Sequence, residues 1–183
     1  MRQREKSLQK LNLSFQIDTD GNCMESTIDS IQGGAKQHII IVAGSKKANK
    51  DALLGANLLK LDFAMSNILV VPYYIDDKGK NLKLPRSGFG EDTRPTWETA
   101  PYVASTVGEG WNTYIDSEFD DAIKQDSDGD VNKLKEEGIV IVLANDGKVI
   151  RRGVGKVPWR QMVTELEESV KPVEKIEKDD VFL

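Results

Sequence analysis

Leu11, Leu13, Phe15 and Ile17 alternate with polar residues, which predicts a half-buried strand. Asp18-Thr19-Asp20-Gly21 ends it in a turn. Thr27 to Ile31 reads as a short helix or strand, and Gly33-Gly34 closes this N-terminal section. The pattern then changes character. His38 to Ala43 is a continuous, mainly β-branched run, as a strand buried on both faces requires. Gly44-Ser45 turns the chain, and Lys46 to Asn67 predicts one helix. Its inward face carries Ala52, Ala56, Leu59 and Phe63, widened by Leu53 and Leu58, with Asn67 as the stop. Ile68 to Ile75 predicts a second strand. Strand, helix and strand together make a right-handed βαβ unit with parallel strands.

Residues Asp76 to Gly110 form a long irregular stretch with Pro85, Pro95 and Pro101, which in a compact domain marks a working loop or a docking surface. Trp111 to Gln125 predicts a helix through Tyr114, Ile115, Phe119 and Ile123, and Asn132 to Glu137 continues it after an interruption. Ile139 to Leu143, Asn145-Asp146-Gly147 and Lys148 to Val154 spell a hairpin. Val157 to Val170 closes the fold as a helix, with Pro158 in its first turn and Trp159, Met162, Val163 and Leu166 inward. A βαβ half thus precedes a ββα half, which is the thioredoxin arrangement. The expected fold is an α/β, thioredoxin-like three-layer sandwich. It has a mixed central sheet, an extra N-terminal strand and a long loop insertion at 76–110.

The domain is expected to span 11–170 of the 183 residues, between two charged extensions. Met1 to Lys10 holds Arg2, Arg4, Lys6 and Lys10 against Glu5, and reads as a solvated basic arm or as the remnant of a processed organellar precursor. The tail at 171–183 is mixed in charge and ends in the apolar Val181-Phe182-Leu183. Lys plus Arg number 25 against 30 Asp plus Glu, and a pI near 5.1 disfavours nucleic acid, whose phosphates call for a surplus of cations. The longest near-apolar run has eight residues, Ile68 to Ile75, where a membrane span needs about 20.

Much catalytic chemistry is missing. One cysteine, Cys23, excludes an internal disulfide and a thiolate metal cluster. One histidine, His38, excludes the usual zinc sites with two or three imidazoles, and no serine lies in a nucleophile-elbow motif. His38 begins a buried strand and reads as a structural residue. Cys23 lacks neighbouring cations to activate it, so a plain thiol is expected ahead of a peroxidase nucleophile. Asp126, Asp128, Asp130, Asn132 and Glu137 occupy positions 1, 3, 5, 7 and 12 of a calcium loop. The sixth position is Val131 where glycine is needed, so an acidic surface turn is the plainer expectation. Asp18, Asp20, Asn22 and Asp29 echo the pattern more poorly. Gly44-Ser45-Lys46-Lys47 lies where a helix N-terminus attracts phosphate, but without the P-loop spacing.

Gly138 to Gly155, followed by Pro158-Trp159, resembles the last hairpin and helix of thioredoxin-like proteins, and His38 to Ile75 resembles their central βαβ unit. Active thioredoxins carry Cys-x-x-Cys where the first central strand meets its helix, and a cis-proline before the first hairpin strand. Here those places hold Ala43-Gly44-Ser45-Lys46-Lys47 and Gly138, which implies that thiol exchange is absent and no cofactor is used. The pattern of Gly34 through Ser45, Trp111 through Phe119 and Gly138 through Trp159 is similar to the low-photosystem-II-accumulation type of plastid and cyanobacterial photosystem biogenesis factors.

That narrower resemblance implies a chloroplast protein without catalysis, peripheral to the stromal face of thylakoids. It would dock on photosystem subunits, with a lean to photosystem I, as a permanent subunit or an assembly factor. Phe89, Trp97, Tyr102 and Trp111 are the expected aromatic anchors, with Arg2, Arg4, Val181, Phe182 and Leu183 from the extensions. The competing expectation for the aromatics is that some cap the open edge of the core. The functional alternatives are a divergent thiol peroxidase or reductase using Cys23, and an acidic calcium-binding module.

Overall fold

In the computed structural model, residues 3–75 and 94–171 are described. Four strands make the central sheet: β3 (His38–Gly44), β4 (Ile68–Tyr74), β6 (Ile139–Leu143) and β7 (Val149–Val154). Their order is β4-β3-β6-β7, with β3 parallel to β4, and with β6 antiparallel to both β3 and β7. This is the thioredoxin-like mixed sheet, and its topology alone establishes the fold class. A second, antiparallel sheet joins β1 (Asn12–Gln16), β2 (Cys23–Thr27) and β5 (Ser105–Val107), in the order β2-β1-β5. No helix among the described residues is long and apolar enough to cross a membrane.

All seven residues of β3 are buried, so both faces of the sheet need cover. Alternation along the strands divides the core in two. Ile40, Val42, Val70, Val140 and Val142 face α3 (Lys46–Asn57), α4 (Lys60–Met65) and α7 (Trp159–Val170), which contribute Leu53, Phe63 and Met162 among others. Ile39, Ile41, Val71, Ile141 and Leu143 face α5 (Gly110–Gln125) and α6 (Val131–Glu137), with Leu13 of β1 and Ile28 of α2 (Ile28–Ala35) in the same cluster. Thr27 ends β2 and caps α2 by accepting from the Ser30 N–H at 3.3 Å, so of the residues from Thr27 to Ile31 those from Ile28 are helix.

Three expectations are corrected. The basic arm is a helix, α1 (Gln3–Gln9), whose one buried side chain is Leu8. Arg4 in it binds the Asp121 carboxylate and lies 3.8 Å from Glu118. A single apolar residue in seven leaves no periodicity to read, so only docking onto α5 reveals the helix. The helix expected over Lys46 to Asn67 is broken at Leu58-Leu59, beside the weak helix formers Gly55 and Asn57. Gly55 serves packing there, since a Cβ would sit 3.2 Å from the Trp159 ring. The break also leaves Leu58, expected to widen the inward face, 84% exposed, while Asn67 does stop α4, at φ +52°. Finally, β5 was concealed in the long loop, because three residues carry no period of their own and are ordered by pairing with Asn12, Leu13 and Ser14.

Glu118 is the one buried carboxylate among the described residues, 3% exposed on the inner face of α5. Arg152 of β7 grips it with two bonds, of 2.9 and 3.2 Å, and the Tyr114 hydroxyl donates to it at 2.8 Å. Burial and the adjacent carboxylate push the Tyr114 hydroxyl's pKa up. The cluster ties α1, α5 and the edge of the sheet together. Removing one partner of a buried pair strands the other charge. Arg152→Met is therefore expected to cost about 2 kcal/mol in urea unfolding, less than an isolated buried pair because Arg4 stays nearby, and Glu118→Gln in the same chain should recover part of it.

Candidate functional site

The end of the central sheet where β3 meets α3 is the place at which this fold carries chemistry when it has any. Ser45 stands there in extended conformation and caps α3, its hydroxyl oxygen accepting from the Ala48 N–H at 3.1 Å. The same hydroxyl donates to the Glu136 carbonyl at 3.3 Å, and the Ser45 N–H donates to the Lys135 carbonyl at 3.0 Å. Ser45 thereby anchors the last turn of α6 to the start of α3. Gly44 and Gly138 let the two backbones touch. A Cβ on Gly44 would meet the Gly138 Cα at 2.9 Å, and Gly138 holds φ +80°, a conformation that side chains resist.

Below this contact lies Asn49, fully buried in the first turn of α3. Its amide group donates to the carbonyls of Gly44 (3.0 Å), Ser45 (3.2 Å) and Tyr73 (3.0 Å), so one side chain joins β3, β4 and α3. An open groove of about 1100 Å³ runs alongside, lined by Ser45, Lys47, Asp51, Glu136, Glu137 and Lys156, with Trp159 in its wall. The Trp159 indole N–H donates to the Ala52 carbonyl at 2.9 Å, which fixes that wall. The groove therefore offers mixed charge and backbone, with no thiol and no imidazole among its lining residues.

The remaining candidate residues are not drawn to this groove. Cys23 sits on β2, in the other sheet, opposite Gln16, with its sulfur 3.7 Å from the Gly21 carbonyl. His38 is buried at the opposite end of β3, where its Nδ1 accepts from the Asn145 N–H at 3.0 Å. It is a structural acceptor, as its position in a buried strand suggests. Trp111 and Tyr102, expected as partner anchors, are core residues instead. Trp111 is fully buried and donates from its indole N–H to the Asn12 carbonyl at 2.8 Å, while Tyr102 packs edge-on against Phe63 at 5.0 Å. Trp97 is half-buried against the same cluster as Tyr102. These aromatics are packed into or against the two core clusters. Arg4 is engaged with α5. Arg2, Phe89, Val181, Phe182 and Leu183 lie outside the described residues.

The calcium loop is also corrected. Among the described residues no three His, Cys, Asp or Glu side chains gather as metal ligands. Asp130 caps α6, accepting from the N–H groups of Asn132 (3.0 Å) and Lys133 (3.2 Å). The helix begins at Val131, the place where a calcium loop needs its glycine turn, and carries Glu137 roughly 9 Å along its axis. Asp126 accepts from the Asp128 N–H at 3.3 Å. The echo around Asp18 is a turn as well. Its carboxylate accepts from the N–H groups of Asp20 and Asn22 at 3.0 Å each, and the Asn22 side-chain bond lowers its pKa.

Sequence reasoning passed over Asn49 and Glu118. Both had a readable signal. Each is a polar residue at helical spacing with inward apolar ones, Asn49 before Ala52, Leu53 and Ala56, and Glu118 after Trp111, Tyr114 and Ile115.

No family model matches this chain, and no curated protein matches it significantly. Among solved structures it is similar to the mitochondrial 2-Cys peroxiredoxin from Plasmodium falciparum. Identity is 10% over 89% of this chain and 94% of that one, with a TM-score of 0.48. So distant a likeness transfers neither activity nor residues.

Two outcomes are expected. Asn49→Ala should lower stability by about 2 kcal/mol, by removing the buried bonds that tie α3 to β3 and β4, and Asn49→Asp should cost more, since a carboxylate would then face the carbonyls; urea unfolding of both variants measures it. Burial lowers the pKa of His38 below its ordinary 6.5. Above pH 6.5 both the folded and unfolded states hold it neutral, and below it the unfolded state takes up the proton first. Stability should therefore fall as pH drops from about 6.5 towards 5, and urea midpoints across that range should flatten in His38→Asn.

Proposed function

We propose that this chain is a thioredoxin-like module that works by docking and not by catalysis. It serves as a peripheral subunit or assembly factor on the stromal side of a chloroplast photosystem, with photosystem I favoured. The observation that carries the non-catalytic part is the corner between β3 and α3. Where a redox thioredoxin places its thiolate, this chain has Gly44 and Ser45, and the Ser45 hydroxyl is engaged with the Ala48 N–H and the Glu136 carbonyl. A hydroxyl held as a helix cap, its proton donated to a backbone carbonyl and not to a base, is not an activated nucleophile.

Cys23 does not favour the peroxidase alternative. It lies on a strand of the second sheet and not in the first turn of a helix, where a thiolate is stabilised. The calcium alternative loses its ligand geometry once Asp130 becomes a helix cap. The photosystem rests on the sequence resemblance at Gly34–Ser45, Trp111–Phe119 and Gly138–Trp159. A net charge of −5 also suits a basic docking face.

Native thylakoid complexes, gently solubilised and separated on a density gradient, provide the test. The chain is expected to co-migrate stoichiometrically with the mature photosystem I peak. Confinement to light precursor fractions would make it an assembly factor instead, and absence from every photosystem fraction would overturn the reading.

A further inference from the structure

Two arginines share one buried carboxylate where α1 meets α5. Glu118 accepts two bonds from Arg152 and one from Tyr114, while Arg4 stands 3.8 Å away and gives its own bond to Asp121. Arg4 and Asp121 are 32% and 38% exposed, so both reach water with or without each other. Closed, this joint sets Arg4, Lys124 and Arg152 against Glu5, Glu118 and Asp121. When α1 lifts away, Arg4 and Glu5 leave together. Glu118 keeps Arg152, Asp121 keeps Lys124 at 3.9 Å, and no buried charge is stranded.

The apolar hold on α1 is a single side chain, Leu8. Gln3, Lys6 and Ser7 are exposed, and Gln9 rests beside Gly147 of the hairpin turn. The elements around α1 do not lean on it in the same way. Trp111, Ile115 and Phe119 hold α5 to the core, and β1 is paired on both edges from Asn12 onward, which gives a fixed end on which α1 can turn. Seven residues form no stable helix alone, so opening means undocking and unwinding together. We propose that α1 is a strap, which lifts from α5 and recloses while the rest of the domain stays folded, exposing Leu8 and the apolar site it fills. Salt screens the pair of Arg4 and Asp121, so opening should rise with ionic strength. The inference stands independently of the photosystem reading.

Hydrogen exchange of the folded full chain, followed residue by residue, tests it. The amides of Leu8, Gln9 and Lys10 are expected to exchange about 10²- to 10³-fold more slowly than in an unfolded chain, through openings that respond little to urea. Those of Ile40 and Val42 in β3 should be slower by at least about tenfold and follow urea steeply. Asn49→Ala loosens the central sheet far from α1, so it should quicken the β3 amides about thirtyfold and leave the α1 amides unchanged. Arg4→Glu should quicken the α1 amides by about tenfold, and by less in about 0.5 M salt. Equal urea dependence of the two sets in the natural chain, or equal quickening in Asn49→Ala, would show that α1 opens only with the whole domain and would overturn the proposal. Exchange of α1 at unfolded-chain rates, or its indifference to Arg4→Glu, would overturn it as well.

Discussion

Everything in this fold answers to the burial of one strand. β3 is buried from His38 to Gly44, with apolar residues on both faces, so the chain must build a layer above it and another below. Its parallel neighbour β4 requires a crossover, and α3 and α4 supply that crossover while covering one face. The antiparallel hairpin of β6 and β7 extends the sheet on the other side and returns α7 to the same face as α3. The opposite face is left to α5 and α6. The N-terminal elements then pack against that second layer, through Leu8, Leu13, Ile28 and Ile31.

The same constraint explains the corner at which related redox folds do their chemistry. Gly44 ends the buried strand and must pass within contact distance of Gly138 before β6 can pair with β3. That contact brings the end of α6 against the first turn of α3, where the Ser45 hydroxyl and the Asn49 amide donate to the carbonyls of Glu136, Gly44 and Tyr73. The corner is thus closed by hydrogen bonds that serve the fold. Its polar groups stabilise the meeting of three elements, beside a groove that is open and mixed in charge.

Polar burial is concentrated at a few joints. Asn49 joins β3, β4 and α3, and Glu118 joins α1, α5 and β7 through Arg4, Tyr114 and Arg152. His38 joins β3 to the hairpin turn at Asn145. In each case a side chain bonds to a backbone or charged group at a joint between elements.

The sequence by itself determined the βαβ unit, the hairpin from Ile139 to Val154 and the inward face of α7, because each is written in a local period that burial makes obligatory. From their order alone the mixed sheet follows. Tertiary structure decided what depends on partners far along the chain. Arg4 helps hold α1 by reaching Asp121, 117 residues away, and β5 exists only because Asn12 to Ser14 pair with it. The indole of Trp111 has the same periodicity whether it anchors a partner or fills the core, and its bond to the Asn12 carbonyl, 99 residues distant, decided for the core. Local patterns specify which faces must be hidden. Which neighbour hides them is settled only when distant segments meet.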